Sequence, residues 1–440
     1  MKNIFNIIFA TLLLASCADL NELDPINSVP TETAITDRAS ALAAINGVYD
    51  EMQDATLVFD GYLAFPQFFS DECNATGTFP SRLEMSIFNV QTSNTTLAAV
   101  YTDFYDVINV ANNVIELIPL VEDEAFTQEE RDDIVGQAKF MRAQMFMYLT
   151  AFWSDVPLVL QATKEVGDIL NVSLSSPAEI YAQVESDLND AIGSLTSATG
   201  PARASVQAAQ ALMARAKLYQ GKYGEAKTFA ISALADADIT QVPYLQDRIY
   251  TLEFTATDGN SLGFFYGTAD LGGRYSIGPT ATFINSFEAG DTRFAATIDS
   301  ASFANPYFLK YPSFSAANSG TAVDPVLFVR HSEMVLIIAE AEARDGNFTE
   351  ANAQFNKVRT RAGLPDEDLG TGDFVEKILQ ERFVEFGGEG AFRLIDLRRT
   401  GKAVEKLGTL GYEDCDAKWP IPQRDIDRNI NIVQNDCCNC

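Results

Sequence analysis

A mainly α fold, a tetratricopeptide-like α/α superhelical scaffold carrying one irregular, partly β insertion, is predicted by three features of this 440-residue sequence. Apolar residues recur at helical spacing along most of the chain, opened at several points by N-cap signals. Two Gly-x-aromatic turns, Gly221-Lys222-Tyr223 and Gly346-Asn347-Phe348, are followed by residues suited to close helix packing: Ala226, Ala230 and Ala233 after the first, Ala351, Phe355 and Val358 after the second. Between the turns, Asp236 to Pro325 loses the helical period and is rich in Gly, Ser, Thr and aromatics. The two repeats are therefore not in tandem along the chain.

Taken in order, the chain opens with Lys2 and an apolar run from Ile4 to Leu14, too short to span a bilayer and suited to a secretory signal. Leu14-Ala15-Ser16-Cys17 has the form of a lipobox, so residues 1–16 are expected to be a lipoprotein signal peptide and Cys17 the lipid anchor. Residues 17–36, polar and Pro-containing, read as a tether. Residues 37–440 are expected to form a single domain, with scaffold at about 37–235 and 326–435 around an insertion at about 236–325.

Within the scaffold, Leu42, Ile45, Val48, Tyr49 and Met52 mark one face of a core helix. From Thr56 to Leu97, Gly61, Pro66, Gly77 and Pro80 break up an aromatic-rich run, which predicts a long irregular segment with a functional part to play. Phe104, Val107, Ile108, Ala111, Ile115 and Ile118 restore the helical period until Pro119. Thr127 and Glu130 have capping-box spacing and open the longest helix, apolar on most sides, which Val156-Pro157 is expected to stop. Ser176-Pro177-Ala178-Glu179 opens another, with Ile180, Val184, Leu188, Ile192 and Leu195 as its buried stripe. Inside the insertion, short strands are expected around Leu262–Tyr266 and Phe308–Tyr311, and a helix over Val326–Asp345 follows.

Several of these stretches carry a family pattern. Arg142-Ala143, Tyr148-Leu149 and Phe152-Trp153-Ser154-Asp155-Val156-Pro157-Leu158 resemble the signature helix of the SusD/RagB family, surface nutrient-binding lipoproteins of Bacteroidetes, with Trp153-Ser154 where the family usually has Tyr-Gly. Asp291-Thr292-Arg293, Lys310-Tyr311, Arg330-His331-Ser332-Glu333, Glu381-Arg382-Phe383-Val384-Glu385-Phe386, Asp396-Leu397-Arg398-Arg399, Trp419-Pro420-Ile421-Pro422 and Asn429 to Asn435 follow in the family's order. The resemblance implies an outer-membrane, outward-facing lipoprotein that binds a nutrient, an oligosaccharide or alternatively a peptide. It also implies a partner, a SusC-like TonB-dependent transporter, and a structural part for Arg382, Glu385, Arg398 and Arg399 as ion pairs.

Composition narrows the chemistry. The 61 acids against 31 Lys and Arg argue against nucleic-acid and anionic-membrane partners, and suit an exported protein kept soluble by charge. His331 is the only histidine, so no two-histidine metal site exists, and it reads as a packed or hydrogen-bonded core residue. No nucleophile elbow, P-loop or dinucleotide fingerprint is present, and no cofactor is expected. Asp366, Asp368 and Asp373 lack the glycine and glutamate of a calcium loop and read as a solvated turn. A glycan-active enzyme needs only two carboxylates at the right separation, which keeps it as a lesser alternative, beside a tetratricopeptide adaptor that binds protein only. Of the cysteines beyond Cys17, the odd count of Cys73, Cys415, Cys437, Cys438 and Cys440 leaves at least one thiol over, and a disulfide joining the terminal pair Cys437/Cys440 to Cys415 or Cys73 is expected rather than zinc.

Sugars are gripped by rings, and both tryptophans, Trp153 and Trp419, lie in scaffold motifs. Stacking is therefore assigned to the two irregular regions: Phe79 with Arg82 from the first, and Tyr266, Arg274 and Tyr275 from the second.

Overall fold

The computed structural model describes residues 34–164, 167, 171–196, 200–314 and 320–436; Cys17, Cys437, Cys438 and Cys440 lie outside them. Ten helices carry the scaffold: α1 Arg38–Glu51, α2 Thr95–Leu117, α3 Gln128–Trp153, α4 Pro177–Ser194, α5 Val206–Tyr219, α6 Tyr223–Leu234, α7 His331–Arg344, α8 Phe348–Arg361, α9 Phe374–Phe386 and α10 Phe392–Arg399. Helices α2 to α8 pack each on the next. The two repeats, α5–α6 and α7–α8, are thus neighbours in space although the insertion separates them in the chain. Ala226, Ala230 and Ala233 on α6 are wholly buried and let α7 approach, and Lys227 on α6 pairs with Glu342 (3.2 Å) and Asp345 (2.8 Å) across the join.

Helix starts follow the capping logic. Both expected boxes form: Thr127 accepts from Glu130 N while the Glu130 carboxylate accepts from Thr127 N at 3.1 Å, and Ser176 and Glu179 do the same. On α1, Ile45, Val48, Tyr49 and Met52 are buried as expected, but Leu42 is 40% exposed, beyond the edge of the stripe.

The long helix α3 is buried along most of its length and ends earlier than the proline would require. Ser154 sits at φ +70°, ψ −92°, a conformation natural to glycine. Its hydroxyl donates only to its neighbour Asp155, at 3.2 Å. Ser154→Gly is therefore expected to raise stability by about 1 kcal/mol through relief of this strain, read as a higher urea midpoint with an unchanged slope.

The segment from Thr56 to Leu97 corrects the expectation of an irregular surface stretch. Leu57–Ala64 is a π-helix with all eight residues buried, continued by a turn of α-helix at Phe65–Phe68. Phe59, Tyr62, Phe65, Phe68 and Phe69 all point into the core. Gly61 keeps this packing close, since a Cβ there would meet Val100 Cγ1 of α2 at 3.0 Å and Val100 would have to give way. Only the part after Phe69 reaches the surface.

Four two-stranded antiparallel ladders complete the described residues: β1 Cys73–Ala75 with β5 Ile277–Pro279, β2 Val156–Pro157 with β3 Leu174–Ser175, β4 Arg248–Leu252 with β8 Val326–Arg330, and β6 Ile298–Asp299 with β7 Tyr307–Phe308. Two expectations are corrected here. Leu262–Tyr266 is a short helix, and Val326–Arg330 is a fully buried strand that leads into α7. Both are short apolar runs, for which periodicity does not separate helix from strand.

A buried ionic cluster fastens the insertion to the scaffold. Arg293 from the insertion, Arg330 at the end of β8 and Arg361 at the end of α8 converge on Glu385 of α9, with Asp247, Asp291, Glu381 and Glu389 around them. Arg382 pairs with Asp396, and Arg399 with both Asp396 and Glu340, as the structural reading expects. Arg398 differs: it donates to the backbone carbonyls of Ala151 (3.1 Å) and Asp416 (2.9 Å) and has no carboxylate within ion-pair distance among the described residues.

Candidate functional site

The β1–β5 ladder brings the two irregular regions together, some two hundred residues apart in the chain. Cys73 faces Pro279, Asn74 faces Gly278 and Ala75 faces Ile277, and Thr76 extends the join by donating its N–H to Ser276 O at 3.1 Å and its hydroxyl to Tyr275 O. Immediately beyond this seam the first region presents Phe79, the residue that precedes the short helix Pro80–Ser86, and the second presents Arg274 and Tyr275.

Phe79 is 42% exposed, unusual for so large an apolar ring. Two guanidinium groups stand over it, Arg82 at 4.9 Å and Arg274 at 5.9 Å from the ring centre. They play different parts. Arg82 is buried, donates from Nε and Nη2 to both carboxylate oxygens of Asp60 (2.7 and 2.9 Å), and lies against Phe59 and Phe265 as well. It therefore backs the Phe79 ring rather than meeting a ligand. Burial pushes the Asp60 carboxyl upward, and the Arg82 pairing opposes that shift. Arg274 is exposed, with no carboxylate within ion-pair distance among the described residues.

Tyr275 is half-buried at φ +50°, its ring anchored by a hydroxyl that donates to Pro306 O at 2.8 Å. Tyr266 is displaced from the expected site: fully buried, it packs on Phe59, Phe308 and Tyr311 and has no face to offer a ligand. Of the five residues expected to grip cargo, then, Phe79 and Arg274 meet at the surface, Tyr275 follows Arg274 in the chain and is half-buried, Arg82 backs Phe79 and Tyr266 lies beneath. The residues missed were Asp60 and Phe265. Asp60 had a signal, since a carboxylate inside the apolar run Leu57–Ala64 requires a buried cation.

The remaining chemistry is structural. Trp153 and Trp419 are wholly buried, edge to face at 5.2 Å, with Trp153 Nε1 donating to Pro420 O at 3.0 Å. His331 places Nδ1 3.1 Å from Asp247 O and Nε2 3.1 Å from Gln207 Nε2, and a ring protonated on Nδ1 satisfies both contacts. The Cys73 thiol is buried, donates to Gln67 Oε1 at 3.2 Å and is pushed well above its usual range by burial. Asp368 accepts from Asn352 Nδ2 and Gly370 N, as a turn carboxylate does. Among the described residues no group of three or more His, Cys, Asp or Glu is gathered to hold a metal, and no helix is long and apolar enough to cross a membrane.

Comparison with known proteins follows this geometry. The SusD family model matches residues 298–417, and a second model, described as starch-binding and associating with the outer membrane, matches residues 28–218. SusD-like protein P2 of Formosa agariphila is 24% identical over 98% of this chain and 99% of its own length. The chain belongs to the SusD/RagB family. SusD-like protein P38 of the same organism is 25% identical over 99% of both chains. Among solved structures, a laminarin-binding SusD-like protein superposes with a TM-score of 0.79 at 23% identity, covering 91% of this chain and 100% of its own. A SusD superfamily protein of Bacteroides vulgatus gives 0.78 at 20%, covering 91% and 98%. At such identity these structures establish the SusD fold.

Proposed function

We propose that this SusD-family chain is a lipid-anchored outer-membrane protein, facing the cell exterior, that captures an oligosaccharide on the Phe79–Arg274–Tyr275 surface and passes it to a TonB-dependent transporter without chemical turnover. The observation that carries the reading is the β1–β5 seam, which gathers an exposed ring, a free cation and an anchored tyrosine from two distant regions while both tryptophans stay in the core. The names of the relatives, one binding laminarin and one family described as starch-binding, support a glycan as the cargo. A platform of Phe and Tyr without Trp suits modest affinity.

Calorimetry against a panel of oligosaccharides and peptides tests the site. Phe79→Ala and Arg274→Ala are each expected to weaken oligosaccharide binding at least about tenfold, a loss of roughly 1.4 kcal/mol, with melting temperatures unchanged because both side chains face solvent. Wild-type affinity in both variants would remove this surface, and binding confined to peptides would replace the glycan. The anchor has its own test: Cys17→Ala is expected to move the protein from the membrane to the soluble fraction, and retention after a salt wash would overturn the anchor at Cys17.

A further inference from the structure

A second concave site lies away from the β1–β5 seam, where the middle of α2 meets the residues after β2 and the C-terminal helix Gln423–Arg428. It is a cleft of about 290 Å³, at the small end of ligand sites, which begin near 300 Å³. Its base is aromatic. Tyr101 and Tyr105, one helical turn apart on α2, stand with ring centres 5.1 Å apart, and Tyr105 is fixed by its hydroxyl donating to Pro157 O at 2.9 Å. Pro157, Val159, Val172 and Ile432 complete an apolar wall.

The polar groups are of both kinds. Asp106 and Asp425 offer acceptors, while Arg424, Arg428 and the amide of Asn109 offer donors. Two carboxylates against two guanidinium groups leave the cleft near neutral in a chain of net charge −30. One buried polar atom is left over. Tyr101 is 3% exposed and its hydroxyl has only that of Tyr105 beside it, whereas Arg424 Nε has no hydrogen-bond partner, although Arg424 Nη2 donates to Thr102 Oγ1 and lies 3.4 Å from Asp425. Buried polar groups are ordinarily satisfied, so unpartnered ones lining a cleft mark where a ligand or an ordered water supplies the missing partner.

From these residues we infer that the cleft is a separate seat for a single neutral pyranose unit. An apolar sugar face meets the Tyr105 side, and vicinal hydroxyls, each donor and acceptor at once, match the alternation of Asp106, Arg424, Asp425 and Arg428. A carboxylate or sulfate would meet two acids, and an ammonium would meet two guanidinium groups. The inference rests on the carbohydrate reading above only for the choice of probe.

The test uses the mature full chain with the methyl pyranosides of glucose, galactose and mannose, read by saturation-transfer NMR. At least one is expected to bind with a millimolar dissociation constant, as a lone sugar on so few contacts should. Asp106→Ala/Arg428→Ala changes two exposed side chains and is expected to weaken that binding at least about tenfold, with an unchanged melting curve. Phe79→Ala/Arg274→Ala is expected to leave it intact while reducing oligosaccharide capture. Failure of all three glycosides to bind, or wild-type binding by the Asp106/Arg428 variant, overturns the cleft. Loss of glycoside binding in the Phe79/Arg274 variant also overturns it, because the sugar would then sit at the seam. Loss of oligosaccharide capture bears on the seam alone, so the two readings fail separately.

Discussion

Glu385→Ala is expected to destabilise the protein by about 3–5 kcal/mol, the magnitude typical of removing one partner from a buried charge network. Glu385 is fully buried. Its Oε1 accepts from Arg330 Nη1 at 2.7 Å and Arg361 Nη2 at 2.5 Å, and its Oε2 from Arg293 Nη1 at 3.0 Å, so one carboxylate serves three guanidinium groups from three different segments. Burial alone would raise its pKa, yet the charges of Arg361, Arg330 and Arg293 hold it far below the usual carboxylate range. Asp247, Asp291, Glu381 and Glu389 still face those cations after the substitution, which limits the loss. Glu385→Gln keeps the shape and one acceptor, and is expected to fall between wild type and Ala. Urea unfolding of the three proteins measures the effect. Equal midpoints would mean that the cluster contributes nothing net, and early proteolysis within residues 236–325 of the Ala variant would show that the insertion is what it fastens.

Much of this architecture was legible because its signals are local. The capping boxes at Thr127 and Ser176 each involve four consecutive residues, and both form as the spacing requires. The two Gly-x-aromatic turns likewise give α5–α6 and α7–α8, with Gly221 at φ +71° and Gly346 at φ +81°. What escaped the sequence depends on distance. Stacking of α6 on α7 was invisible because nothing in either helix records that the insertion loops out between them. The π-helix at Leu57–Ala64 was misread because a segment buried on every side has no polar face to reveal a period. Leu262-Gly263-Phe264-Phe265-Tyr266 failed as a strand because so short an apolar run does not separate helix from strand, and with it went Tyr266 as a ligand contact. The seam between Cys73–Ala75 and Ile277–Pro279 had no sequence signal beyond both regions mixing rings and cations in Gly-rich sequence, which sufficed to bring Phe79, Arg274 and Tyr275 onto one list but not to separate Arg82 as their support.

Glu72 gives the stability its expected slope with pH. It precedes β1, is 1% exposed, and accepts from Gly388 N at 2.5 Å. Burial pushes its carboxyl up to about 8, overcoming the Gly388 N–H and the charges of Lys310 and Arg393, which pull the other way. In the unfolded chain the group titrates near 4.5. Between those values the folded protein holds a proton that the unfolded chain has released, so stability falls as pH rises, by about 1.4 kcal/mol per unit for a single group. The contribution is whole below pH 4.5 and is lost as pH climbs through about 8. Glu340 acts in the opposite window: against burial, Arg399 and Arg344 hold it down to about 2, so its contribution is present above pH 4.5 and disappears as pH falls toward 2. Asp103, raised to about 7 mainly by burial, adds a smaller slope of the same sign as Glu72 because it remains partly solvated. Glu72→Gln isolates one term, since glutamine keeps an acceptor for Gly388 N and has no proton to release. The variant is expected to be flatter than wild type between pH 5 and 8 and more stable than wild type at pH 8, by a few kcal/mol. Urea midpoints at pH 5, 6.5 and 8 measure this. Parallel curves for the two proteins would mean that Glu72 is ionised in the folded state, and that Lys310 and Arg393 neutralise it there.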